Sequence, residues 1–195
     1  MKNLKWNINL KKTALLVIDM QNDFVEAGAI MEVPLAKTQV GDIKNLIELC
    51  RSKAIPVLYT VHITCPDKCA LEIAAFPHLI NAGMREGTRG AQVIDALAPQ
   101  TGEAVIKKHR FSAFFNTELD STLKAKNIDT LIICGTVTNI CCESTARDAF
   151  FRDYKVIFGS DICSALTAGA HNATLANMNI FGEVLNLESI KKIIA

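Results

Sequence analysis

The side chains of this sequence best placed to do chemistry stand where apolar runs end. The run at 130–135 (TLIICG) is followed by Thr136-Val137-Thr138-Asn139-Ile140-Cys141-Cys142-Glu143. A Gly-Thr-Val-Thr-Asn stretch between an apolar and an amphipathic run reads as a strand-to-helix elbow, with Thr138 or Asn139 as N-cap. Cys141 then falls in the first helical turn, where unpaired backbone N–H groups and the positive end of the helix dipole favour a thiolate. That setting predicts a thiol pKa below the ordinary value of roughly 8.5. The same N–H groups can hold an oxyanion formed when the thiolate attacks a carbonyl. Cys142 lies on a different line, with Ala146, Ala149 and Phe150, and reads as core.

Two further run ends carry complementary groups. The run at 13–19 (TALLVID) delivers Asp19, placed to act as a base or ligand, or to cap its loop by accepting backbone N–H bonds. Asp23, in a turn-like Asn-Asp pair, suits the capping role better. The run before Lys107-Lys108-His109-Arg110-Phe111-Ser112-Ala113-Phe114-Phe115 delivers a basic cluster beside aromatic residues. A lysine facing inward there can pair a carboxylate, lower a thiol pKa or bond a substrate. The residues alone leave Lys107 and Lys108 as alternatives.

These groups meet only if the fold brings the run ends together. Periodicity predicts strands over 13–19, 55–61, 103–107, 130–135, 155–161 and 183–187, and helices over 37–53, 117–126, 139–152, 167–181 and 188–194. Strands alternating with helices imply βαβ units, and continuous apolar strands imply a sheet covered on both faces. The expectation is a single α/β domain over 1–195, a three-layer α/β/α fold with a six-stranded parallel doubly wound sheet. Ligands then bind beyond the carboxyl ends of the strands, where strand order reverses. The irregular stretch 62–101, with Pro66, Pro77, Pro99, Gly83, Gly87 and Gly90, reads as a lid, binding loop or subunit contact.

Composition narrows the class. The 195 residues carry a net charge of +1, with 50% hydrophobic and 21% charged residues. This balance argues against nucleic-acid and membrane-surface partners and against disorder. The seven cysteines are odd in number, and residues 1–12 contain charges and no apolar run, so reduced thiols in a cytoplasmic protein are expected. His62, Cys65, Cys69 and His78 share the irregular stretch without a zinc-type spacing, and 83–90 (GMREGTRG) lacks a Walker lysine. No metal and no cofactor are expected. His171 reads as structural.

Taken together, Asp-Met-Gln-Asn-Asp-Phe at 19–24, Lys-His-Arg-Phe-Ser-Ala-Phe at 108–114 and Gly-Thr-Val-Thr-Asn-Ile-Cys at 135–141 resemble the isochorismatase-like cysteine hydrolase superfamily. The similarity continues through Glu143-Ser144-Thr145-Ala146-Arg147-Asp148-Ala149 and Asp161. The resemblance implies a catalytic triad of Asp19, Lys108 and Cys141, the Lys-x-Arg-x-Ser-x-Phe spacing selecting Lys108 over Lys107. It also implies a cis peptide between Val137 and Thr138 and an oxyanion hole made by the backbone N–H groups of Thr138 and Cys141. Phe24, Arg110 and Phe114 are the expected pocket residues. A homo-oligomer, dimer or tetramer, is implied as well.

The implied activity is hydrolysis of a C–N bond in a small amide or carbamoyl/ureide compound through a Cys thioester. Within the superfamily the motifs resemble the ureidoacrylate and biuret hydrolase branch. The chain departs from it after Asp161, where Ile162-Cys163-Ser164-Ala165-Leu166 contains no glutamine. Tyr59-Thr60-Val61-His62 lacks the Asp-x-His metal motif of nicotinamidases. The alternatives are a vinyl ether hydrolase of isochorismatase type and a non-catalytic thiol redox sensor.

Overall fold

The computed structural model describes residues 4–68, 70–79 and 81–195. Six strands, β1 (Thr13–Ile18), β2 (Val57–His62), β3 (Ala104–Lys108), β4 (Thr130–Thr136), β5 (Lys155–Ser164) and β6 (Glu183–Leu185), form one sheet in the order β3-β2-β1-β4-β5-β6. Every pairing is parallel. The order reverses between β1 and β4, which lie side by side at the centre. The helices are α1 (Asn22–Val25), α2 (Ala36–Ser52), α3 (Ala70–Ala75), α4 (Leu119–Ala125), α5 (Glu143–Phe150), α6 (Ala168–Phe181) and α7 (Leu187–Ile194). No described helix is long and apolar enough to cross a membrane.

Strand alternation splits the core in two. Leu15, Val17, Tyr59, Ile132 and Ile157 pack with Ile43, Leu46 and Ile47 of α2 and Ile190 and Ile194 of α7. Their neighbours Leu16, Ile18, Leu58, Ile133 and Phe158 point the other way, onto Leu119 and Leu123 of α4, Ala146 and Ala149 of α5 and Met178 of α6. Both faces are therefore apolar and covered, as the continuous runs require.

The ends of β1 and β4 approach unusually closely. Gly135 has φ +119, and a Cβ there would lie 2.0 Å from the Ile18 carbonyl oxygen. Only glycine fits both the conformation and the space. Asp19, the residue that follows β1, has φ 49, a left-handed conformation rare for a non-glycine residue and concentrated at functional sites. The Thr136 hydroxyl donates to the Asp19 carbonyl at 3.0 Å and ties the two ends together.

Local structure differs from expectation in four places. The cis peptide lies between Thr136 and Val137, not between Val137 and Thr138. Pairing of β4 with β5 extends to Thr136, so the bend falls at the first bond beyond the ladder. The expected helix over 139–152 is divided: Thr138–Cys142 forms a single π-type turn, and α5 begins at Glu143. Neither Thr138 nor Asn139 caps with its side chain; the Thr138 hydroxyl bonds His171 instead. Strand β5 continues past Gly159-Ser160-Asp161, because a register shift between Ile133 and Gly135 lets Cys163 and Ser164 pair with Gly135 and Thr136. The stretch 62–101 holds α3 and two 3-10 turns, Pro77–Leu79 and Asp95–Leu97.

Candidate active site

The alternation of β3 decides between the two lysines. Ile106 and Lys108 point inward and are buried, whereas Lys107 points out and pairs with Glu86 at 2.6 Å. Lys108 Nζ lies 2.7 Å from Asp19 Oδ2, and both side chains are 0% exposed. It lies 3.3 Å from Cys141 Sγ, 3.2 Å from His62 Nδ1 and 3.2 Å from the Arg110 carbonyl oxygen. An ammonium has three N–H bonds, so these four acceptors share three protons. Asp19 is fixed from its other side: Thr60 Oγ1 donates to Oδ1 at 2.5 Å, and the Asp19 N–H donates back to Thr60. The structure thus brings Asp19, Lys108 and Cys141 into one buried cluster at the point where strand order reverses.

Electrostatics correct one expectation. Burial pushes the Cys141 thiol well above its ordinary pKa, and the Lys108 ammonium, which pulls it down, does not win. Cys141 is only 3% exposed, so the cost of desolvating a thiolate exceeds the help from its neighbours. The resting group is a thiol, and a base must take its proton during attack. Burial also lowers the Lys108 pKa, but the opposing charge of Asp19 and the nearby Cys141 outweigh it, so the ammonium is held above its ordinary value.

Sequence reasoning weighed His62 only as a metal ligand and missed its place beside Lys108. His62 is the last residue of β2, one position beyond the predicted end of that strand. The same inspection of strand ends that found Asp19 finds His62 once the boundary is moved. Its Nδ1 faces Lys108, and its Nε2 lies 3.1 Å from Glu72 Oε2 on α3. Since Lys108 can only donate, Nδ1 accepts and Nε2–H donates to Glu72. Burial, and then the charge of Lys108, hold His62 below its ordinary pKa of 6.5.

That depression carries a pH signature. At a pH just below 6.5 the unfolded chain binds a proton at this position and the folded chain does not. Stability from a neutral His62 is therefore complete above about 6.5 and is lost as the pH falls through the folded-state value. The melting temperature is expected to drop more steeply between neutral pH and pH values below 6.5 for the natural protein than for His62→Gln. Parallel melting curves across that range would show that His62 is not held neutral.

Asp19, His62 and Cys141 also offer one ligand atom each within 4.8 Å of one another, a set that by type can hold a metal. Lys108 Nζ touches all three, so the cation among them is the ammonium, and a metal would have to displace it. Of the loop residues considered as ligands, His78 turns its Nε2 to Met31 Sδ at 3.3 Å, and Cys69 lies outside the described residues. His171 supports the elbow: its Nδ1 is 3.0 Å from Thr138 Oγ1, and its Nε2 is 3.0 Å from the Ser160 carbonyl oxygen.

A narrow cavity of about 40 Å³ opens onto Cys141. Phe24 lines it, as expected, with Phe111, Phe76, Ile140, His62 and Glu72. Arg110 and Phe114 do not. Ser112 bonds Asp148 and the Ala113 N–H bonds Thr145, which draws this segment onto α5. Phe114 is consequently buried in the core against Tyr154, at a centroid distance of 5.7 Å. Arg110 faces a separate surface hollow with Lys68 and Asn116. Phe111 takes the pocket position and stacks on His62 at 6.3 Å.

A parallel α/β sheet with a small pocket beyond its strand ends is the architecture of a small-molecule enzyme. The isochorismatase domain matches residues 13–189, and the chain belongs to this family of hydrolases. Nicotinamidase 3 of Arabidopsis thaliana is 32% identical, the match covering 87% of this chain and 82% of that protein. The ureidoacrylate amidohydrolase RutB of Yersinia enterocolitica is also 32% identical, covering 94% and 89%. The crystal structure of a cysteine hydrolase from Pseudomonas syringae pv. phaseolicola superposes with a TM-score of 0.93 at 32% identity, covering 100% of this chain and 98% of that one.

Proposed function

We propose that the protein hydrolyses the C–N bond of a small amide or carbamoyl/ureide compound, with Cys141 as nucleophile, Asp19 as base and acid, and Lys108 as the cation that positions both. The observation that carries this reading is the buried chain from Asp19 Oδ2 through Lys108 Nζ to Cys141 Sγ, with steps of 2.7 and 3.3 Å. Sγ attacks the carbonyl carbon while its proton passes to the Asp19 carboxylate. The oxyanion is held by the N–H group of Cys141 and a second backbone N–H of the elbow that precedes it, in place of the Thr138 N–H expected with a cis bond at Val137–Thr138. Asp19 then protonates the leaving nitrogen, the C–N bond breaks and a thioester remains. Water attacks the thioester, gives a proton to Asp19, and that proton returns to sulfur as the acid leaves.

Two further observations support amide hydrolysis. The two relatives named above are an amidohydrolase and a nicotinamidase. A peroxide-sensing cysteine is accessible and readily ionised, whereas Cys141 is buried with its pKa raised. The test is a panel of small primary amides and ureides, assayed for ammonia and quenched in acid for intact-mass analysis. Ammonia release from at least one compound, with the mass of its acyl fragment added at Cys141, is expected. Ammonia from none of the panel would overturn the reading.

A further inference from the structure

Two buried oxygens in the pocket have no hydrogen-bond partner among the described residues. One is Thr64 Oγ1, on a residue only 4% exposed, and the other is Glu72 Oε1. Both residues line the cavity that opens onto Cys141. Neither oxygen is explained by packing: Glu72 already meets His62 with its other oxygen, and a buried acceptor without a donor is rare in a folded protein. Most of the remaining wall is apolar, including Phe24, Phe76, Met84 and Ile140. The pocket therefore presents oxygens that the described protein groups leave unpaired, in space for only a small molecule.

Its charge has one sign. Lys108 is balanced by Asp19, the two being an ion pair at 2.7 Å. His62 is held neutral. Among the described residues that line the cavity there is no lysine or arginine, and Glu72 is the one carboxylate. Arg85 donates from its guanidinium to the carbonyl oxygens of Thr64 and Leu79 and does not line the cavity. Arg110 faces the other hollow. A carboxylate entering this pocket meets the Glu72 carboxylate and no cation, with the Thr64 hydroxyl as its one unpaired side-chain donor, whereas an N–H donor meets two oxygens able to accept.

We propose that Glu72 and Thr64 determine specificity, and that the substrate bears a second N–H donor group, an amine or a further amide nitrogen, and no carboxylate. The proposal rests on the amidohydrolase reading and narrows it. It sets this chain apart from an enzyme of ureidoacrylate, a compound that carries a carboxylate. A site built to pair with a polar group discriminates strongly against ligands that leave its buried atoms unpaired.

The test compares three small primary amides that differ in one substituent: glycinamide (cationic), propionamide (neutral) and malonamate (anionic). Specificity, kcat/KM for ammonia release, is expected to fall in that order, by about 100-fold from first to last. Glu72→Gln keeps the shape and an acceptor for His62 but supplies N–H donors, and is expected to reduce the spread to about 10-fold or less by raising malonamate. Thr64→Val, isosteric, is expected to lower glycinamide more than malonamate. Calorimetric binding of the same three compounds to Cys141→Ala gives a readout without chemistry, and the same order of Kd is expected. Turnover in which malonamate equals or exceeds glycinamide in the natural protein, or a spread that Glu72→Gln leaves unchanged, overturns the proposal while leaving amide hydrolysis intact. No turnover with any of the three, but binding in the expected order, tells against the hydrolytic reading and supports the selectivity. Equal binding, or binding of none, overturns the selectivity.

Discussion

Cys141→Ala is expected to reduce turnover by about 10⁴-fold or more, as loss of a nucleophile does when only binding and orientation remain. Cys142→Ala is expected to keep turnover within a few-fold. The two thiols are adjacent in sequence and buried to similar degrees, so composition and exposure do not separate them. Geometry does. Cys141 Sγ lies 3.3 Å from Lys108 Nζ and lines the cavity. Cys142 packs with Ala146, Ala149 and Cys163 on the face of α5 that meets the sheet. Its replacement removes core volume and is expected to lower the melting temperature while leaving the chemistry in place. Ammonia release at saturating substrate, measured beside thermal melting for both variants, separates the two outcomes. Full turnover in Cys141→Ala would remove the nucleophile assignment altogether.

The fold was legible because burial on both faces of a parallel sheet leaves a plain signal. Runs such as TALLVI and TLIICGT contain no polar alternation to confuse with an exposed strand. The lysine at 108 was also legible, through the resemblance, and the two-residue alternation of β3 gives the physical reason. What the sequence could not show is where local rules yield to tertiary contacts. Gly159-Ser160-Asp161 has the composition of a strand end, yet the sheet continues through it by a register shift. Phe111 and Phe114 are equivalent in type, and only the bonds from Ser112 to Asp148 and from Ala113 to Thr145 decide which one reaches the pocket. The Cys141 pKa was read from a helix N-terminus, a local feature, whereas the burial that dominates it comes from the whole fold. His62 and Glu72 are separated by a stretch read as irregular, so their pairing at 3.1 Å had no local signature.

Lys108→Met is expected to destabilise the protein by about 3–5 kcal/mol, more than its loss of packing explains. Removing the ammonium leaves the Asp19 carboxylate buried with no countercharge, held only by neutral hydroxyl and thiol donors from Thr60 and Cys141. Asp19→Asn has the complementary defect, an ammonium left among His62 Nδ1, the Arg110 carbonyl and the Cys141 thiol. The double variant removes both charges, so its loss is expected to fall short of the sum of the single losses by about 2 kcal/mol or more, as coupled buried pairs do. All three variants are expected to lose turnover to the background, because proton transfer from Cys141 needs the carboxylate and the carboxylate needs its position. Urea unfolding at neutral pH measures the stabilities, and the ammonia assay measures the chemistry. Additive stabilities would show that the 2.7 Å contact is not an energetic pair. Partly recovered stability without recovered turnover in the double variant is the expected result. It would show that the two charges are coupled in the core and that relieving the uncompensated charge does not restore the chemistry, which needs both groups.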